Sequence, residues 1–575
     1  MSTMTRATGG RSCMMAAAIL ASAALSAQAG EEYYFNGIYN PTLSDVNKIN
    51  LQPQPFDTIL PAKDITYQLL SVKGEVPAHV DSIEAARLNI QLAQEKLYKG
   101  FVKAGFGLYT TPLAELYYDQ GRSKSNGYGL HFRHMSSNGG IGDRGPSDYS
   151  FNNVDGFYNA YLPKHALEGR VMYDRRRVGY YGYPATDSLE NLHQMPPAPP
   201  GDAIKQVYND IGFAFRVKSL YKDSTKLAHE AGLEVHNYTN LSNSRELNVK
   251  LDALLSTRQG SETYGGTVII DNNTYRADRD TLPELRQNGT MVGISPFVST
   301  TDGHYLVKVG AGIFVDALGK TTFHFYPQAY AHYRLFDDIL VPYVGVDGRR
   351  IRNNLRSLTR ENPFIEGAPF QRNSSLMYDL YGGLRGSLSR DIGFDVRISQ
   401  SRTKDRPLFL ARETDYKGVR YGDQFVAVYD RVDQLDIGGE LRYSHDEHIN
   451  VHGGLHVFSY KKDEQAEAWN LPIYAINLGA VYDFQDKLLL KVEAQFLGRR
   501  KMARSLPAGW NDLSPAPETV DAPGFVDLYL GLEYRYTKRL GVFLDFSNLS
   551  ASKYERWYNY PVQRGLVLGG ATFAF

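Results

Sequence analysis

Residues 526–536 place Val526, Leu528, Leu530, Leu532, Tyr534 and Tyr536 on one face of an extended chain and Asp527, Glu533 and Arg535 on the other. An apolar row opposed by an ionised row, repeating every second residue, is the signature of a strand between two different media. The pattern recurs. Residues 487–496 set Leu488, Leu490, Val492, Ala494 and Phe496 against Lys487, Lys491, Glu493 and Gln495. Residues 435–443 set Leu435, Ile437, Leu441 and Tyr443 against Asp436, Glu440 and Arg442, and residues 376–388 set Leu376, Tyr378, Leu380, Leu384 and Leu388 against Asp379 and Arg385. Many strands with charged inner faces would leave a soluble sandwich without a core. The ionised faces must therefore meet water, and the apolar faces must meet hydrocarbon.

Two ends of the chain point to the same compartment. Arg6 and Arg11 precede the apolar stretch Met14–Ala27, and Ala27-Gln28-Ala29 offers a cleavage site, so residues 1–29 are expected to be an export signal. At the other end Gly569-Gly570-Ala571-Thr572-Phe573-Ala574-Phe575 alternates to a final aromatic. A strand that closes a membrane barrel needs an apolar lipid face to its last residue, and Phe573 and Phe575 are the expected signal for the barrel-assembly machinery. The single cysteine, Cys13, falls within the expected signal, which excludes structural disulfides and cysteine-held metals from the processed chain.

After Ala29 no run of 18 or more apolar residues occurs, which excludes helical spans. Charge is balanced at 63 basic and 63 acidic residues, so bulk electrostatics do not suggest nucleic acid as a partner. The expected fold is all-β: a transmembrane antiparallel β-barrel over residues 99–575, of about 22 strands within a range of roughly 16–24. Short turns are expected near 123, 164, 222, 259, 301, 336, 388, 444–447, 483–486 and 537–539. Long connections are expected at 137–151, 179–203, 273–286, 349–374, 403–433 and 500–522, with loops near 461–470 and around Trp557. Residues 30–98 form an N-terminal periplasmic or luminal segment, Pro-rich, with one helix expected over Asp81–Leu97.

The C-terminal residues Phe546-Ser547-Asn548-Leu549, Lys553-Tyr554, Trp557, Tyr560-Pro561 and Arg564-Gly565, followed by the closing strand, resemble the last two strands of TonB-dependent receptors. The Tyr-rich surface resembles that of Bacteroidetes-type barrels. The resemblance implies a barrel of about 22 strands and a role in solute passage or uptake across the outer membrane. The front of the chain departs from that family. About 70 residues separate the expected cleavage site from the first strand, too few for a full-length plug domain, and Asp57-Thr58-Ile59-Leu60 resembles the segment pulled by the energising protein only at the level of chance. An open barrel of this size would be a large hole, so residues 30–98 and inward loops are expected to occlude it. Deleting residues 31–95 would then raise conductance.

Catalytic and metal readings are weaker. His445, His448, His452 and His456 span a turn and a strand, and His452 and His456 would stand about 13 Å apart on one face, too far for one ion. His324, Tyr326, Gln328, Tyr330, His332 and Arg334 form a polar row expected to line the lumen. No nucleophile elbow, metalloprotease helix or phosphate loop occurs, and no enzymatic activity or cofactor is expected. The basic runs Arg175-Arg176-Arg177, Arg349-Arg350 and Arg499-Arg500-Lys501 lie at expected outer strand ends, where Arg175, Arg176, Arg177, Arg499, Arg500 and Lys501 are candidates to face lipopolysaccharide phosphates. Solute transport, an accessory subunit bound to a periplasmic or outer-membrane protein partner, and a rim-located enzyme remain as readings.

Overall fold

The computed structural model describes residues 98–121, 123–183, 204–279, 282–336, 338–416, 419–446, 448–503 and 517–575. The expected export signal with Cys13, the Asp57–Leu60 stretch and the helix expected over Asp81–Leu97 lie outside the described residues.

Twenty-two strands form one antiparallel sheet in which each strand pairs with its neighbours in the chain, and the first, Gly100–Gly107, also pairs with the last, Leu566–Ala574. That last pairing turns the sheet into a closed barrel. Closure leaves no unpaired edge, which is the condition for a β-structure to cross hydrocarbon. Its register runs from Phe101 opposite Ala574 to Gly107 opposite Leu568, and the carbonyl of Phe575 accepts from the N–H groups of Lys99 and Gly100 at 2.8 and 2.9 Å. Phe573 is exposed on the outer face and stacks on Phe575, with ring centroids 6.2 Å apart.

The alternation read from the sequence is the alternation seen. Phe323, Phe325, Val171, Leu380, Ile398 and Leu441 are exposed apolar side chains on the outer face. On the same strands Asp379, Asp395, Arg397, Asp436 and Glu440 turn inward around a common luminal pocket. The chain is thus an outer-membrane β-barrel with a polar interior. No helix among the described residues is long and apolar enough to cross a membrane.

One rim carries Gly100 and Phe575 and is crossed by tight connections such as 162–164, 260–261, 302–304 and 485–487. The opposite rim carries the loops 138–148, 352–373, 463–473 and 548–565, which marks it as the external side. Several expectations about that side need correction. Residues 273–286 are not a loop: Glu262–Arg279 and Leu282–Thr301 pair almost to their tips, with Leu285 opposite Ala277. Residues 403–433 are likewise a ladder, Ile392–Tyr416 against Val419–His445, with Phe409 opposite Ala427 and Asp415 opposite Arg420. Connections at 108–110, 241–244 and 317–321 are also short on the outer rim, so short and long connections do not strictly alternate. Above the membrane a strand no longer needs one apolar face, so its side-chain pattern resembles a loop while its backbone stays paired.

A bulge between Leu376 and Tyr378 shifts the period, so Met377 takes the exposed outer position and Leu376 lines the luminal pocket. The strict two-residue reading had Leu376 facing lipid.

Candidate functional site

The external loops do not splay outward. They meet over the lumen. A buried cluster joins Leu358 and Ile365 from loop 352–373, Phe409, Ala411 and Phe425 from the tall hairpin, and Trp557 and Tyr560 from loop 548–565, with Tyr181 and Phe364 packed against it. Loop 548–565 connects the last two strands, Tyr181 follows the fifth, and loop 352–373 joins the thirteenth to the fourteenth. Side chains rooted so far apart around a closed ring can share one core only by crossing the mouth.

The contacts are aromatic and tight. The Phe364 and Tyr560 rings stack at 3.9 Å between centroids, Tyr181 meets Tyr560 edge-on at 4.8 Å, and Trp557 meets Phe409 edge-on at 5.3 Å. Such pairs add about 0.5–1.5 kcal/mol each beyond area burial. Backbone bonds reinforce them: Phe425 N–H donates to the carbonyl of Phe364 at 3.0 Å, and Glu366 N–H donates to that of Phe425 at 2.8 Å. Ile365 and Phe425 thereby form one parallel β-bridge between loop and hairpin.

The centre of this lid is a short helix, α1, Leu355–Glu361. Asn354 caps it by accepting from Ser357 N–H at 2.9 Å, while the Ser357 hydroxyl accepts from Asn354 N–H at 2.9 Å, a reciprocal box that starts the turn. Leu355 and Leu358 are buried beneath it. The sequence reading left 349–374 as a plain loop; Asn354 followed three residues later by Ser357 was the available sign of a helix start.

Acidic residues on the inner wall hold the lid. Asp316 pairs with Arg350 at 2.8 Å, and Asp271 pairs with Arg352 at 3.2 Å. Glu246 accepts from the N–H groups of Leu355 and Arg356 and from the Gln371 amide at 2.7, 3.2 and 2.8 Å. Asp210 accepts from Arg356 at 2.6 Å and from Arg360 at 3.3 Å, and its other oxygen bonds His236 at 2.9 Å. Tyrosines add neutral ties: Tyr180 donates to the carbonyl of Ile365, Tyr208 to that of Pro363, both at 2.8 Å, and Tyr238 bonds Thr359 at 2.6 Å. Each buried carboxylate is met by several donors, as the cost of desolvating a charge requires.

Below the lid the wall is polar and charge-paired. The pocket of about 400 Å³ is lined by Tyr343, Asp379, Asp395, Arg397, Asp436, Glu440 and His456. Arg397 bonds Asp379 at 2.8 Å, Tyr343 bonds Asp395 at 2.5 Å, and His456 bonds Asp436 at 3.0 Å. On the other side Lys103 pairs with Asp545 at 3.0 Å, and His131 bridges Asp155 and Glu115 at 3.1 and 3.4 Å. Tyr326 and Gln328 of the polar row 324–334 face the same interior, where Tyr326 bonds Ser375 at 2.7 Å and Gln328 donates to the carbonyl of Gly348.

The remaining sequence candidates sit as follows. His445 bonds Asp391 at 3.0 Å in a turn, and His456 belongs to the luminal wall; among the described residues no group of three or more ligating side chains converges. Arg175 and Arg177 share the outward face of their strand with the exposed Val171 and Tyr173, and Arg177 pairs with Asp148 at 2.6 Å. Arg176 points inward to Asp174 at 3.0 Å. Arg499 is exposed and Lys501 pairs with Asp521 at 2.5 Å. Arg500 is buried: its guanidinium donates to the carbonyls of Glu555 and Arg556 at 2.6 and 2.8 Å, so it cannot face lipopolysaccharide. Arg500–Ala503 pairs with Thr519–Ala522 in a small two-stranded sheet separate from the barrel sheet.

No family model matches this sequence, and no curated protein matches it. Solved structures do share its fold. The FrpB iron transporter from Neisseria meningitidis aligns with a TM-score of 0.62 at 12% identity, over 84% of this chain and 82% of that one. The siderophore receptor PirA from Acinetobacter baumannii aligns with a TM-score of 0.61 at 10% identity, over 84% and 81%. The ferric-catecholate import receptor Fiu from E. coli K12 aligns with a TM-score of 0.58 at 10% identity, over 84% and 82%.

Proposed function

We propose that this protein is a TonB-dependent receptor-like barrel that takes up a bulky solute, of the class of a ferric chelate, through an external mouth kept shut by its own loops. The observation that carries the reading is the lid. A passive general pore would hold its mouth open, whereas here loops from distant sectors share an aromatic core above a polar, charge-paired lumen. A structural subunit needs no water-lined interior, and placing ionised side chains there is costly unless solute or water is to pass. The fold is that of proteins described as iron transporters and siderophore receptors, which supports uptake as the direction of traffic.

The test is uptake of radiolabelled ferric chelates by cells that carry the protein as their sole such barrel, compared with cells that lack it. Energy-dependent accumulation of at least one chelate supports the proposal. If no chelate accumulates and the protein instead co-purifies stably with another barrel or a lipoprotein, the accessory reading replaces it.

A further inference from the structure

The bonds that hold the lid are not equal, and their inequality has a direction. At its root, where the loop leaves the barrel strand, the Arg350 and Arg352 side chains are each 8% exposed and meet carboxylates at least as buried. Arg352 also donates to the carbonyls of Asp271 and Gly289 at 2.7 and 3.2 Å. Farther along, Arg356 is 25% exposed and Arg360 42%, and both rely on the single carboxylate of Asp210, which is itself only 5% exposed. Screening by salt is weak for buried pairs and strong for exposed ones. The root is therefore fixed, whereas the far end of α1, beside the buried Tyr238–Thr359 bond, is held by ion pairs whose arginines solvent can reach.

We propose that the Asp210–Arg356–Arg360 triad is a releasable latch, and that α1 swings from the mouth about the Arg350–Arg352 root when the latch opens. Asp210 is the natural point of control. Its Oδ2 serves both arginines and its Oδ1 is committed to His236, so one wall side chain holds both charges of the helix's outer half, with only the neutral Tyr238–Thr359 bond beside it. Glu246 restrains the near end, because it holds the N–H groups of Leu355 and Arg356 next to the root. The groups beyond the helix, Phe364 and Ile365, would leave the aromatic cluster with it. The latch deepens the uptake reading by saying how the mouth opens, and it can be tested without any transported solute.

Trypsin cuts after arginine, so the lid reports on itself. In native purified protein, cleavage after Arg356 and Arg360, identified by mass, should be slow at about 20 mM salt and rise severalfold toward about 1 M, with cleavage after Arg352 lagging throughout. Rates on the denatured chain correct for any effect of salt on the protease. Asp210→Asn should raise cleavage at Arg356 and Arg360 by about tenfold at low salt and abolish the salt dependence, whereas Asp271→Asn should expose Arg352 as well. The proposal is overturned if Asp210→Asn is cut no faster than the parent, or if all three arginines are released together. Should Asp210→Asn fail to assemble, the salt series on the parent decides, and a flat series overturns the latch. These outcomes leave the uptake experiment untouched, so the latch and the uptake reading fail separately.

Discussion

Arg500 shows how little the height of a base on the barrel says about its use. It stands at the outer end of a strand beside Arg499, yet it caps the carbonyls of Glu555 and Arg556 and lies over the Phe525 ring. Burial pushes its pKa down to about 10, which leaves it charged at neutral pH. Arg500→Ala should therefore cost about 1–3 kcal/mol through orphaned carbonyls, seen as a lower unfolding midpoint, with no change in bound lipopolysaccharide. Arg175→Glu with Arg177→Glu should do the reverse, reducing the lipopolysaccharide that follows the barrel through purification while stability stays within about 0.5 kcal/mol. Glu366 adds a pH dependence. Burial in the lid raises its carboxyl pKa, against the pull of Arg412. A raised carboxyl favours the folded lid fully below the ordinary carboxylate range, and that contribution fades as pH rises through the raised value. Lid opening, followed by trypsin cleavage after Arg360 relative to the rate on the denatured chain at the same pH, should grow as pH climbs from about 5 toward neutrality, and Glu366→Gln should flatten the rise.

At the scale of the element, closure of the barrel depends on small residues where the first and last strands meet. A Cβ at Gly570 would overlap the carbonyl oxygen of Ala104 and the Cα of Gly105, and one at Gly100 would enter the Phe575 ring. Backbone cannot retreat from a ladder as a side-chain tip can. Gly570→Val should therefore prevent closure, read as loss of the fast-migrating unboiled form on denaturing gels, whereas Gly303→Ala, with open space around it, should not. What the sequence made legible follows the same line between membrane and water. Inside the bilayer Leu380, Ile437, Leu441 and Val492 had to face lipid, so the period of two revealed the strands and their inner charges. At Leu376 a bulge reset the period without changing any residue type, and over 403–433 the pattern vanished although the backbone stayed paired. Of the lid, the basic character of Arg349-Arg350 was visible, but not that Arg350 would reach Asp316 or that Arg356 would reach Asp210, because those contacts join positions 34 and 146 residues apart.

For the whole molecule, the lid and the wall beneath it are electrostatic complements, and this fixes what removing the lid must do. Residues 352–372 carry Arg352, Arg356, Arg360 and Arg372 against Glu361 and Glu366, so their loss makes the mouth two charges more negative. The strand ends they connect need no such length, since Ile351 and Ser374 are already paired across the sheet and a short Gly–Ser turn can join them. Asp210 and Asp271 would then face an open, water-filled entrance without their arginines, and Glu246 without the backbone and amide donors of the lid. Farther down, the wall keeps its own pairs, Arg397 with Asp379 and Lys103 with Asp545, and contributes little bias. A cluster of carboxylates stripped of their arginines on one side of the entrance favours cations. In planar bilayers the parent should show rare openings, and the shortened variant a large steady conductance whose reversal potential in a potassium chloride gradient lies toward the potassium potential. Adding Asp210→Asn and Asp271→Asn to that variant should return the reversal potential toward zero at nearly unchanged conductance. A shortened variant that conducts no better than its parent would place the barrier elsewhere than in the lid.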